Sequence, residues 1–157
     1  MAQDFTVGVF RTVENVLARL SVLAPLAMGF ERATLVFSES RVILAYVAKR
    51  SSRFLLSAPG RRLVGALKSG EEDRRRRQIE TSSPDQLVAA DPSNIQISYN
   101  DLVSAQLVIH KTAGSELTVL TKEEKFLFKL VAARPPEGFA EVLEKMLGDR
   151  FSTKLTD

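Results

Sequence analysis

His110 is the only histidine in this 157-residue sequence, and the only side chain whose ordinary ionisation lies near neutral pH, so acid–base or metal chemistry would have to begin there. It falls on the polar side of an expected strand. There is no cysteine and no second imidazole to complete a metal site. No serine sits in a Gly-x-Ser-x-Gly elbow, so nucleophile, base and orienting group cannot be assembled around it. His110 therefore reads as a sheet-surface histidine. Gly60-Arg61-Arg62-Leu63-Val64-Gly65 has the glycine spacing of a phosphate loop, but Ala66 and Leu67 separate the second glycine from Lys68-Ser69. In a working loop that lysine follows directly, so that its ammonium and the loop amides converge on the same phosphates. The acidic groups Glu71-Glu72-Asp73 and Glu123-Glu124 have cations beside them and read as solvated charge. These residues predict no enzyme and require no cofactor or metal.

What remains is a concentration of positive charge. Residues 48–80 carry 10 Lys/Arg against 4 Asp/Glu, a local net of +6 in a chain of +3, which leaves −3 for everything else. Within it Arg61, Arg62 and Lys68 flank Leu63, Val64 and Leu67, and Glu71-Glu72-Asp73 precedes Arg74, Arg75, Arg76 and Arg77 by three to four residues. On a helix that spacing pairs acid with base, so part of the charge is internally neutralised. The candidate binding residues are Arg50, Arg53, Arg61, Arg62, Lys68 and Arg74 to Arg77. Their expected partners are an anionic membrane surface or an acidic protein. Nucleic acid is a weaker expectation, because Phe54 is the only aromatic in the segment available for stacking.

Composition bounds the rest. Hydrophobic residues at 45% and charged residues at 26% describe an ordinary globular chain, long enough for one core without crosslinks. The absence of cysteine removes disulfides and thiol chemistry and leans intracellular. Met1-Ala2-Gln3-Asp4 lacks the basic start of an export signal. The longest uncharged run, Leu20 to Phe30, is 11 residues and contains Pro25, where a spanning helix needs roughly 20. A cytoplasmic protein, at most peripheral to a membrane, is expected.

The elements that must position these groups follow from periodicity. Val9, Val13, Val16, Leu17, Leu20 and Leu23 recur at helical spacing, predicting an N-terminal amphipathic helix over 5–28. Its residues 9–28 are a candidate surface for a homo-oligomer. Residues 32–37 and 41–47 read as a hairpin around Ser38-Glu39-Ser40. Residues 48–92 read as a mainly helical basic insert, with Ser83-Pro84-Asp85 opening a short helix that runs to Ala90. A meander follows over 95–99, 103–111, 116–121 and 126–131, with Val103, Ala105, Leu107 and Ile109 on its buried face. Phe139, Val142, Leu143, Met146 and Leu147 form the stripe of a last helix, closed by Gly148. Residues 1–150 are read as one domain and 151–157 as a loose tail.

The hairpin Ala33-Thr34-Leu35-Val36-Phe37-Ser38-Glu39-Ser40-Arg41-Val42-Ile43-Leu44, the step Ile95-Gln96-Ile97-Ser98-Tyr99-Asn100-Asp101-Leu102 and the helix over 136–147 together resemble the pleckstrin-homology-like superfold, in its GRAM-like and short prokaryotic versions. The resemblance spans 31–47 and 94–148. It implies an α+β fold: a bent antiparallel sheet or small barrel capped by the C-terminal helix, here with an N-terminal helix and a helical insert added. It also implies a non-enzymatic binding or adaptor module. Phosphoinositide-binding members cluster basic residues at the first hairpin turn, whereas this turn is Ser38-Glu39-Ser40 with Arg41 behind it.

Overall fold

A computed structural model describes residues 14–26, 29–47 and 61–157. Two meanders make one eight-stranded sheet, ordered β4-β3-β2-β1-β7-β6-β5-β8. The strands are β1 (Val16–Leu26), β2 (Gly29–Ser38), β3 (Arg41–Tyr46), β4 (Ile95–Ser98), β5 (Leu102–His110), β6 (Gly114–Thr121), β7 (Lys125–Leu130) and β8 (Phe151–Thr156). Every pairing is antiparallel except β5 with β8. The sheet is bent and unclosed. Its concave side holds the main core, where Leu20, Val22, Leu35, Phe37, Leu44, Leu107, Leu117 and Phe128 from both meanders meet. Helix α3 (Phe139–Leu147) plugs that side through Phe139, Leu143 and Leu147, and the Phe139 ring meets Phe37 edge to face at 5.4 Å. This is the capped, bent sheet that the resemblance implied.

A second core lies on the convex side. Helices α1 (Arg61–Thr81) and α2 (Pro84–Ala90) cover β2 and β3 there, with Ile79 and Leu87 packed on Val36, Ile43, Ala45 and Val47. The described part of the insert is therefore helical and seated on the sheet. α2 begins as its residues dictate. Ser83 accepts from the Gln86 amide at 3.3 Å while the Gln86 side chain accepts from the Ser83 amide at 2.9 Å, a reciprocal cap that satisfies two otherwise orphan donors. Asn94 then ties helix to sheet: its Oδ1 accepts from the Tyr46 amide at 3.0 Å and its Nδ2 donates to the Leu87 carbonyl at 2.9 Å. Gly148 takes φ +58 where α3 ends, a conformation that strains residues with a Cβ.

Three expectations need correction. Residues 16–26 form β1 and not part of a helix, and residues 5–13 of the expected helix lie outside the described residues. The segment fits both periods, because Ala18, Leu20, Val22 and Ala24 also alternate with Leu17, Arg19, Ser21 and Leu23. The strand wins because β1 bridges β2 and β7, joining the two meanders. Residues 151–157 are not a loose tail: Phe151–Thr156 pairs with Ala105–His110. Finally, Val103 is exposed. A bulge between Leu102 and Ser104 shifts the phase by one, so Leu102 takes the buried place.

Candidate functional site

The basic insert is held by its own charges. Arg75 points from α1 at the end of β3, where its Nε donates to the Tyr46 carbonyl at 2.8 Å and its Nη2 to Asp91. Asp91 Oδ1 also accepts from the Ser93 amide at 2.9 Å and the Ser93 hydroxyl at 2.7 Å. The two side chains are only 13% and 10% exposed. Burial works to raise the Asp91 carboxyl, but the Ser93 hydrogen bonds and the Arg75 charge outweigh it and hold it below the ordinary range. Arg75, read in the sequence as a binding cation, is thus occupied inside the fold. Arg76 pairs with Asp73, and Arg77 Nε donates to the Asp73 carbonyl at 3.3 Å. Arg74 and Arg77 are exposed on α1. Arg61, Arg62 and Lys68 lie in α1, and Arg50 and Arg53 lie outside the described residues.

The β2–β3 turn carries a second network. Glu14 Oε1 accepts from the Ser38 hydroxyl at 2.6 Å, the Ser40 amide at 3.1 Å and the Ser40 hydroxyl, while its Oε2 accepts from Arg41 Nε at 2.9 Å. Arg41 uses its other nitrogens on Gln96 at 2.8 Å and Asp85 at 2.6 Å. Burial opposes the Glu14 charge, yet the two serines and Arg41 leave its carboxyl below the usual range. Beneath the turn, the buried Tyr99 hydroxyl donates to the Ser38 carbonyl at 2.6 Å. Its pKa is pushed up to about 12, first by burial and then by the Glu14 charge. The donors that this turn offers an anion are therefore filled by the chain's own carboxylate.

No enclosed ligand chamber appears among the described residues. The cleft between β4 and the β6–β7 turn, floored by Ile95, Ile97 and Phe126, holds about 160 Å³, and that between α1 and the sheet about 180 Å³. Small-molecule sites are usually about 300–1,000 Å³. A larger, open groove of about 640 Å³ runs past Ser40, Arg41, Ser98 and Tyr99, where Arg41 is already engaged. His110 Nδ1 meets the Thr156 hydroxyl across the β5–β8 pair, a tie between strands.

Strand phase assembles something that charge counting misses. In β1, β2, β6 and β7 the residues facing the core are Leu20–Val22–Ala24, Leu35–Phe37, Leu117–Val119 and Phe126–Phe128–Leu130. The alternate residues face outward, among them Arg19, Arg32, Lys125 and Lys129, and Lys154 joins them through its pairing with Val108. The signal was present as alternation, once β1 is read as a strand.

No family model matches the chain, and no curated protein sequence matches it. Among solved structures it is similar to the hSac2 domain of the human phosphoinositide phosphatase Sac2, at 12% identity and a TM-score of 0.47, over 99% of this chain and 85% of that one. The C-terminal domain of an unknown protein from Leishmania infantum is similar at 8% identity and 0.44, over 90% of this chain and 98% of that one. The Spt16D–Pob3N heterodimer gives 11% and 0.45, with 91% of this chain matched to 58% of that one.

Proposed function

We propose that this chain is a non-enzymatic binding module of the pleckstrin-homology-like kind, acting inside the cell, which associates with an anionic surface through its basic helical insert. The observation that carries this reading is the orientation of α1. Arg75 and Ile79 fix the helix to the sheet, and Arg74 and Arg77 stand exposed. The sheet order and the capping helix support the kinship, and GRAM-like membership is its finer form. The filled β2–β3 turn argues for surface charge over a headgroup pocket there. Cations near an anionic leaflet contribute about 1 kcal/mol each.

The test is sedimentation with vesicles of phosphatidylcholine, with and without phosphatidylserine, using wild type and R74Q/R77Q. Arg75 is left intact because the fold uses it. Selective binding to the anionic vesicles, weakened in the variant, is expected; equal binding of wild type and variant would remove α1 from the reading. Acidic protein and nucleic acid are alternative partners for the same residues, and nucleic acid would show a steep salt dependence. A homo-oligomer through residues 9–28 is a competing reading. Residues 20, 22 and 24 are already spent in the core, so within β1 it would have to use outward groups such as Leu17, which is 39% exposed. Light scattering that gives a monomer at every concentration would dispose of it.

A further inference from the structure

Among the described residues, α1 and α2 cover the convex side of the sheet over β2 and β3 and reach β1 at Val16 and Ser21. Beyond these, the outward strand positions of β1, β7, β6, β5 and β8 have no described helix packed on them. On a half-buried sheet, outward positions normally carry polar residues of mixed sign. Here the strands present Arg19, Arg32, Lys125, Lys129 and Lys154, against a single outward strand carboxylate, Glu116, which sits opposite Lys129 in the β6–β7 register. These cations come from stretches of sequence that sum to negative charge, so the fold collects them. Apolar groups lie among them: Phe30 is 46% exposed and Leu120 39%, with Leu127 half-buried between the lysine-bearing positions. The Lys129 ammonium rests 4.6 Å from the centre of the Phe30 ring.

We infer that this convex face, centred on Phe30, Lys125 and Lys129, is the surface that lies against an anionic lipid bilayer, its lysines at the phosphates and Phe30 and Leu120 at the acyl boundary. This rests on the proposed association with an anionic surface and names where the contact is made. Lysine stems with apolar bodies and charged tips suit that boundary. A second copy of the chain docked face to face by a two-fold axis would set cations against cations. A nucleic acid would need rings to stack on. Phe30 is the only outward-facing aromatic among the described strand residues, and one face of it is taken by Lys129.

The chain contains no tryptophan, so F30W supplies a single fluorophore at the proposed contact. Vesicles containing phosphatidylserine should shift its emission to shorter wavelength, and phosphatidylcholine vesicles should not. K125Q/K129Q should weaken vesicle binding about 25-fold, at about fivefold per lysine, more than R74Q/R77Q does. An unshifted F30W emission on vesicles that the protein does bind would overturn the inference. So would wild-type binding by K125Q/K129Q with loss in R74Q/R77Q, which would leave the helical reading standing. Wild type that ignores anionic vesicles would remove both. Duplex DNA bound more tightly than vesicles and released by K125Q/K129Q would assign the face to nucleic acid instead. Circular dichroism matches each variant to wild type first, and F30W carries the test if the double variant fails to fold.

Discussion

Arg75 illustrates how little a residue's type says about its role. Four consecutive arginines look equivalent as sequence, yet one is folded against Asp91 and the Tyr46 carbonyl while Arg74 faces solvent. Removing one partner of a mostly buried pair leaves the other charge without compensation. Arg75→Gln should therefore cost about 2–3 kcal/mol of unfolding free energy, against a few tenths for Arg76→Gln, whose pair with Asp73 is about half exposed. Urea titration of the two variants checks this. The same networks set a pH window. Glu14 and Asp91 have folded pKa values depressed from 4.5 and 3.8, so their contribution is present above those values and lost as pH falls below them. Tyr99 is raised from 10.0 to about 12, so its contribution is present below pH 10 and lost as pH climbs through the folded value. Unfolding free energy measured across pH should fall at both ends, and E14Q should flatten the acid limb.

Elements were legible where one period dominated. The hairpin, the meander and α3 carry a single periodicity each, and the structure places them within a few residues of their expected bounds. β1 carried two, and a local reading chose the helix. β8 failed differently: Phe-Ser-Thr-Lys-Leu-Thr is short and mostly polar, and only the free edge of β5 makes it a strand. Phe151 is half-buried against the main core, whereas Leu155 is 72% exposed. A chain ending at Arg150 should lose about 2 kcal/mol through Phe151 and leave the β5 edge bare. One ending at Phe151 should keep most of that stability. Thermal melts and concentration-dependent light scattering on the two truncations distinguish them, and equal losses would show that the pairing, not Phe151, supplies the energy.

At the scale of the whole molecule the two cores are unequal. The concave core draws on all of β1 to β7 and α3, whereas Ile79 is the only buried side chain described in α1. Opening free energy scales with the apolar contacts that an element must break. Amides of β2 and β6 should exchange with deuterium most slowly and those of α1 well before them; matched protection would mean one cooperative unit. The sequence by itself determined the α+β class, the capping helix, the helix start at Ser83 and the helical character of the described part of the insert, because propensity, capping and periodicity act over a few neighbours. Only the tertiary structure decided that Val16–Leu26 is a strand, that Arg75 belongs to the fold, and that Glu14 fills the β2–β3 turn. It also gathered Arg32, Lys125, Lys129 and Lys154 on one face. The partners that decided these cases are remote in sequence, as Val22 and Leu130 or Glu14 and Arg41 are, so their meeting is fixed by how the sheet packs on its core, which local sequence does not encode.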